Sequence, residues 1–119
     1  SAPTGNVQEV IGQQLDAIRT RDAERAFALT MGALHEKYAD AAKFLEDLRF
    51  THRALYNHSR FRFLDQIPLA DGLLQKVEIE DGKSGHEPVL MIYRLRRDEA
   101  GHWRIDSFTV LDEDGGKDI

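Results

Sequence analysis

Apolar residues recur at three- and four-residue spacing through the first half of the chain, and at every second position through the second half. Val7, Val10, Ile11, Leu15 and Ile18 form one stripe. The spacing predicts an amphipathic helix running from an Asn6 cap to about Arg19, with Gln8, Glu9, Gln13 and Asp16 mostly on its wet side. Thr20-Arg21-Asp22 interrupts the pattern. Asp22 is a good cap for a second helix holding Ala26, Phe27 and Met31, which Gly32 loosens or ends. Asp40 or a neighbour opens a third, with Ala41, Phe44, Leu45 and Leu48 on one face.

From Ser59 the period becomes two. Phe61 and Phe63 alternate with Arg60 and Arg62 up to Leu64, which reads as a strand. Pro68 falls in a connection. Leu73, Gln75, Val77 and Ile79 then face one way, and Lys76, Glu78 and Glu80 the other. The run Glu80 to Gly85 is turn-rich. Glu87 to Leu111 is a hairpin around Asp98-Glu99-Ala100-Gly101, with Gly101 in the left-handed region. Pairing Asp98 with His102 puts Met91, Tyr93 and Leu95 on one face with Trp103, Ile105, Ser107 and Thr109. The same pairing puts Leu90 and Ile92 on the other face with Phe108 and Val110, and Arg94 opposite Asp106.

Helices first and an antiparallel sheet afterwards is the α+β class: three N-terminal helices packed on one face of the sheet. The whole chain, 1–119, reads as one domain with residues 1–5 and 113–119 loose. The second apolar sheet face, Leu90, Ile92, Phe108 and Val110, then needs a cover. A second copy is the economical one, so a homodimer through this face is expected. The alternative is cover by the first helix or by the loop around Pro68.

Composition narrows the partners. A formal charge of −5 and the lack of any Lys/Arg run argue against nucleic acid. No apolar run approaches the roughly 20 residues a membrane span needs. With no cysteine, disulfides, thiol catalysis and cysteine-ligated metals are excluded. The small polar start, Ser1 to Gly5, reads as a terminus left after a signal peptide or as a cloning remnant; we lean towards export to the periplasm.

Gln14-Leu15-Asp16-Ala17-Ile18, Asp22 with Ala26-Phe27-Ala28, Phe44-Leu45, Tyr56 and Phe61-Arg62-Phe63 together span most of the chain. With the closing Trp103-Arg104-Ile105 strand, they resemble the bacterial domain-of-unknown-function family numbered 4864. That family sits within the cystatin-like α+β cone of the nuclear-transport-factor-2-like superfamily. The resemblance implies a curved sheet whose concave face and helices can enclose a pocket. Members of the superfamily use it for isomerase or dehydratase chemistry, for small-molecule binding, or only to dimerise and recruit proteins. Fold analogy does not choose between these uses.

The candidate chemistry is sparse. Asp106, an acid late in the final strands, is the first place to look for a general base, although a cross-strand pair with Arg94 explains both residues. Tyr93 and Ser107 face each other in the expected register and could donate to a ligand carbonyl, or could satisfy each other in the core. Phe61, Phe63 and Trp103 would line the same pocket, or are plain core. The histidines, His35, His52, His58, His86 and His102, form no metal-ligand spacing, so neither metal nor cofactor is expected. The reading that results is a non-enzymatic dimerising module with room for a small apolar ligand. An isomerase- or dehydratase-type enzyme and a protein-recruitment module are the alternatives.

Overall fold

The computed structural model describes residues 3–82 and 86–111, with side chains from Val7 onward. The expected loose tail at 113–119 and residues 83–85 of the turn-rich loop lie outside those residues. Five helices precede a four-stranded antiparallel meander in the order β1-β2-β3-β4. The helices are α1 (Pro3–Arg19), α2 (Ala23–Ala28), α3 (Ala33–Lys37), α4 (Ala41–Thr51) and α5 (Arg53–Tyr56). The strands are β1 (His58–Leu69), β2 (Gly72–Asp81), β3 (Val89–Arg97) and β4 (Trp103–Leu111). The α+β class and the curved sheet stand. The three expected helices are α1, α2 and α4, and the short helices α3 and α5 are additions.

Helix α1 begins at Pro3 rather than after an Asn6 cap. Proline suits a first helical position, where its missing N–H would have no partner anyway. Val7, Ile11, Leu15 and Ile18 are fully buried, as their stripe predicts. The helix closes in a Schellman motif: Asp22 N–H donates to Ala17 O at 2.8 Å and Arg21 N–H to Ile18 O at 3.1 Å. Arg21 takes the left-handed position there, with φ 62°.

Both predicted aspartate caps are present. Asp22 accepts from Arg25 N–H at 3.2 Å and Asp40 from Lys43 N–H at 2.9 Å. Asp40→Ala is expected to cost about 1 kcal/mol in chemical denaturation, and Asp40→Asn almost nothing. Equal losses in the two variants would show that α4 does not depend on this cap. Helix α2 stops at Ala28, short of Met31, because the chain there leaves helical geometry and runs beside β4. Met31 N–H donates to Ile105 O at 2.9 Å, and Ile105 N–H donates to Leu29 O at 2.9 Å.

Strand β2 alternates as read, burying Leu73, Gln75, Val77 and Ile79. Gln75 is fully buried because it serves a β1 bulge: its Nε2 donates to Leu64 O at 3.0 Å and its Oε1 accepts from Gln66 Nε2 at 2.7 Å. Pro68 lies inside β1, paired with Leu73, rather than in a connection. Because β1 is an edge strand, the missing N–H is tolerated.

The β3–β4 hairpin departs from the simple register at one residue. Asp98 N–H donates to His102 O at 2.8 Å and Gly101 has φ 88°, so the turn forms as expected. Pairing holds through Arg97↔Trp103, Arg96↔Arg104 and Leu95↔Ile105, then slips so that Arg94 opposes Ser107 and Tyr93 opposes Phe108. Asp106 is the extra residue of a β-bulge, and every β4 side chain beyond it changes face. Phe108 and Val110 therefore belong to the inner, helix-packed side, not to the face with Leu90 and Ile92. The Phe108 ring lies 5.5 Å from that of Tyr93. Ser107 and Thr109 move to the outer face.

Candidate functional site

The slip places Asp106 where three donors converge. One carboxylate oxygen accepts from Arg96 Nη2 at 2.9 Å and from Ala33 N–H at 3.2 Å, and the other lies 3.6 Å from Arg94 Nη1. Arg94 in turn donates from Nη2 to both oxygens of Asp71, at 2.9 and 3.0 Å. The expected Arg94–Asp106 pair thus exists, but with Arg96 as the closer partner. Asp106 itself is buried. Burial alone would raise its carboxyl, yet the Arg96 hydrogen bond, the Ala33 N–H and the two guanidinium charges outweigh it and hold the group below the usual carboxylate range. A carboxylate so held is a weak base, with two hydrogen bonds on one oxygen and an ion pair on the other. The arrangement makes Asp106 the clamp joining the hairpin to the start of α3.

Gly32 makes that approach close enough. It sits at φ 57°, ψ −122°, immediately before α3. A Cβ there would fall 1.9 Å from Asp106 Oδ1 and 2.6 Å from Arg96 Nη2.

The residues expected to line one pocket are not on one wall. Tyr93 is fully buried, its hydroxyl has no hydrogen-bond partner among the described residues, and desolvation pushes its phenol up strongly. A ligand could reach it only by displacing packed core. Ser107 faces outward beside Arg94, so the Tyr93–Ser107 pair does not form. Phe61, 39% exposed, packs edge-on against Phe63 with ring centres 5.6 Å apart, at the far edge of the sheet. Trp103 stands at the hairpin end under the Arg97 guanidinium, 4.5 Å away.

Two further constellations lie on the helical side. Tyr38 donates to Asp47, and burial followed by that hydrogen bond pushes its phenol up to about 12. His52 stacks edge-on against Phe108 with ring centres 5.1 Å apart, and burial followed by the Lys37 charge lowers its pKa. Arg49, Phe50, Arg53, Tyr56 and Asn57 line an open groove of about 590 Å³ between α4 and α5. No periodic pattern in the sequence marks this groove. The available signal was Phe50, an aromatic two positions past Leu48 and off the buried stripe. Among the described residues, no cluster of three or more His, Asp or Glu side chains is placed to hold a metal, and no helix is long and apolar enough to cross a membrane.

A family model described as Domain of unknown function (DUF4864) matches residues 2–117, and the chain belongs to that family. No curated protein and no solved structure matches it.

Proposed function

We propose that this member of the DUF4864 family is a non-enzymatic assembly module that pairs with a second copy through the outer face of its sheet. One observation carries the reading. The helices pack on the inner side, against Val77, Ile79, Met91, Tyr93, Leu95 and Ile105. The opposite side keeps a diagonal apolar band. Leu90 pairs with Leu111 across β3 and β4, Ile92 follows on β3, and Leu74 pairs with the 51% exposed Ile67 across β2 and β1. Arg62–Glu78 at 3.0 Å and Arg60–Glu80 at 3.6 Å edge the band. An apolar centre with a charged rim is the anatomy of a protein interface, and a two-fold axis through it would bury the band on both copies. The proposed face keeps Leu90 and Ile92 from the sequence reading, and replaces Phe108 and Val110 with Leu74, Leu111 and Ile67.

The other uses of the fold have less support. Asp106 is buried, carries two hydrogen bonds on one oxygen and is ion-paired with Arg94 through the other, which argues against a general base in an isomerase or dehydratase. Tyr93 is sealed, which argues against a ligand pocket behind it. Light scattering coupled to gel filtration tests the proposal. The wild type should elute as a dimer at micromolar concentration. Ile92→Glu, which places a carboxylate between Lys76 and Thr109, should weaken the dimer at least about tenfold while leaving the circular dichroism unchanged. A wild type that stays monomeric at about 100 μM would overturn self-association and assign the band to recruitment of a different protein.

A further inference from the structure

The groove between α4 and α5 has a composition unlike the rest of this acidic chain. Phe50 is 67% exposed, and the Arg49 guanidinium lies 5.5 Å from its ring centre. Tyr56 forms another wall of the groove. Its ring is covered by the Arg21 guanidinium at 3.6 Å, and Arg21 Nη1 also donates to Tyr56 O at 2.6 Å and Ile18 O at 2.9 Å. The left-handed backbone of Arg21, unusual for a residue other than glycine, aims it at this spot. Arg53 completes the set from the first turn of α5.

These arginines, like Arg97 over Trp103 at the hairpin end, stand apart from carboxylates. Arg19, Arg62, Arg94 and Arg96 each lie within 4.0 Å of an aspartate or glutamate. Among the described residues, no carboxylate comes within that distance of Arg21, Arg49 or Arg53. In a chain of net charge −5, three uncompensated guanidiniums around two aromatic rings make a local field of opposite sign. Guanidinium groups take carboxylates in a two-pronged hydrogen-bonded geometry, and an exposed phenylalanine needs an apolar cover. The groove is open along the surface rather than closed, so it suits an extended chain segment better than a small molecule. Three arginines with no flanking lysine track are too few for a nucleic-acid backbone on a chain of this net charge.

We propose that this groove docks an acidic peptide segment of a partner protein, its carboxylates on Arg49 and Arg53 and an apolar side chain against Phe50. The surface belongs to the helical layer and is separate from the outer sheet face, so the two assignments fail independently. The test is an amide-shift titration of the full ¹⁵N-labelled chain with a synthetic glutamate-rich nonapeptide carrying one central phenylalanine. Saturable shifts should concentrate on residues 49–57 and weaken as salt rises. Arg49→Glu/Arg53→Glu should weaken binding about tenfold or more, and Phe50→Ala several-fold with every charge retained. Thermal unfolding of the exposed-site variants should match the wild type, which separates lost binding from lost folding. The proposal is overturned by no saturable binding, by shifts centred elsewhere, by variants that bind as the wild type does, or by tighter binding of a short oligothymidine than of the peptide.

Discussion

Replacing Gly32 with alanine should lower the free energy of unfolding by about 3–4 kcal/mol, measured by urea denaturation at neutral pH. Two effects add. The first is backbone strain: φ 57° with ψ −122° is a combination that a residue with a Cβ adopts only at a cost of about 1–3 kcal/mol. The second is steric. The new methyl would need the space of Asp106 Oδ1, 1.9 Å away, so the carboxylate must leave Arg96 and the Ala33 N–H. Hydrogen bonds to a charged group are each worth about 1.5–3 kcal/mol, and part of that is lost. Gly101 is the internal control. It also has positive φ, 88°, but a Cβ there meets nothing within 4 Å. Gly101→Ala should therefore cost only the strain, about 1–2 kcal/mol. If the two alanines cost the same, the close contact at Gly32 contributes nothing.

Asp106→Ala is the second large effect, expected at about 2–3 kcal/mol. Removing one partner from a fully buried ion pair costs about 3–5 kcal/mol. Here the aspartate side chain is 8% exposed but Arg94 and Arg96 are 36% and 34% exposed, so water screens the charges left behind and the cost falls. The signature is in the acid limb. Because the folded carboxyl is held below its unfolded value, its stabilisation is full above the unfolded pKa of about 4 and drains away as the pH falls through the folded value. Wild type should thus lose stability as the pH falls below about 4 more steeply than Asp106→Ala, and the two curves should converge in acid. Parallel curves would mean that Asp106 carries no linked charge. Adding Arg96→Met to Asp106→Ala should recover part of the loss, since the stranded guanidinium is then removed as well.

These two expectations describe one clamp. The Leu29–Met31 segment bonds to β4 at Ile105, the next residue bulges, and its carboxylate caps the turn into α3. The acid that looks most like a catalytic base in the linear sequence is held ionised by Arg96, the Ala33 N–H and Arg94, and fixes the start of α3 on the sheet. The same bulge moves Ser107 away from Tyr93 and Phe108 away from Ile92. It thereby dissolves the expected pocket pair and changes which residues form the outer face.

Much of the fold was legible in the sequence because its causes are local. A stripe at helical spacing, an aspartate whose side chain reaches an N–H three residues on, strict alternation along β2 and a glycine with positive φ each involve residues a few positions apart. These are Val7 to Ile18, Asp22 and Asp40, Leu73 to Ile79, and Gly101, and the structure keeps all of them. The short helices α3 and α5 were not legible, since five- and four-residue turns carry no periodic stripe. The bulge at Asp106 was not legible either. Phe108 and Val110 are apolar on one register and Ser107 and Thr109 are weakly polar on the other, so the alternation of β4 accepts both. What selects between them is the Ala33 N–H, 73 residues away in sequence, together with the Leu29–Met31 edge. The groove at Phe50 depends likewise on α5 folding back beside α4. The chain thus wrote its own elements through short-range sterics and hydrogen bonds. Which faces those elements present was decided only when distant segments competed for the same donors and the same space.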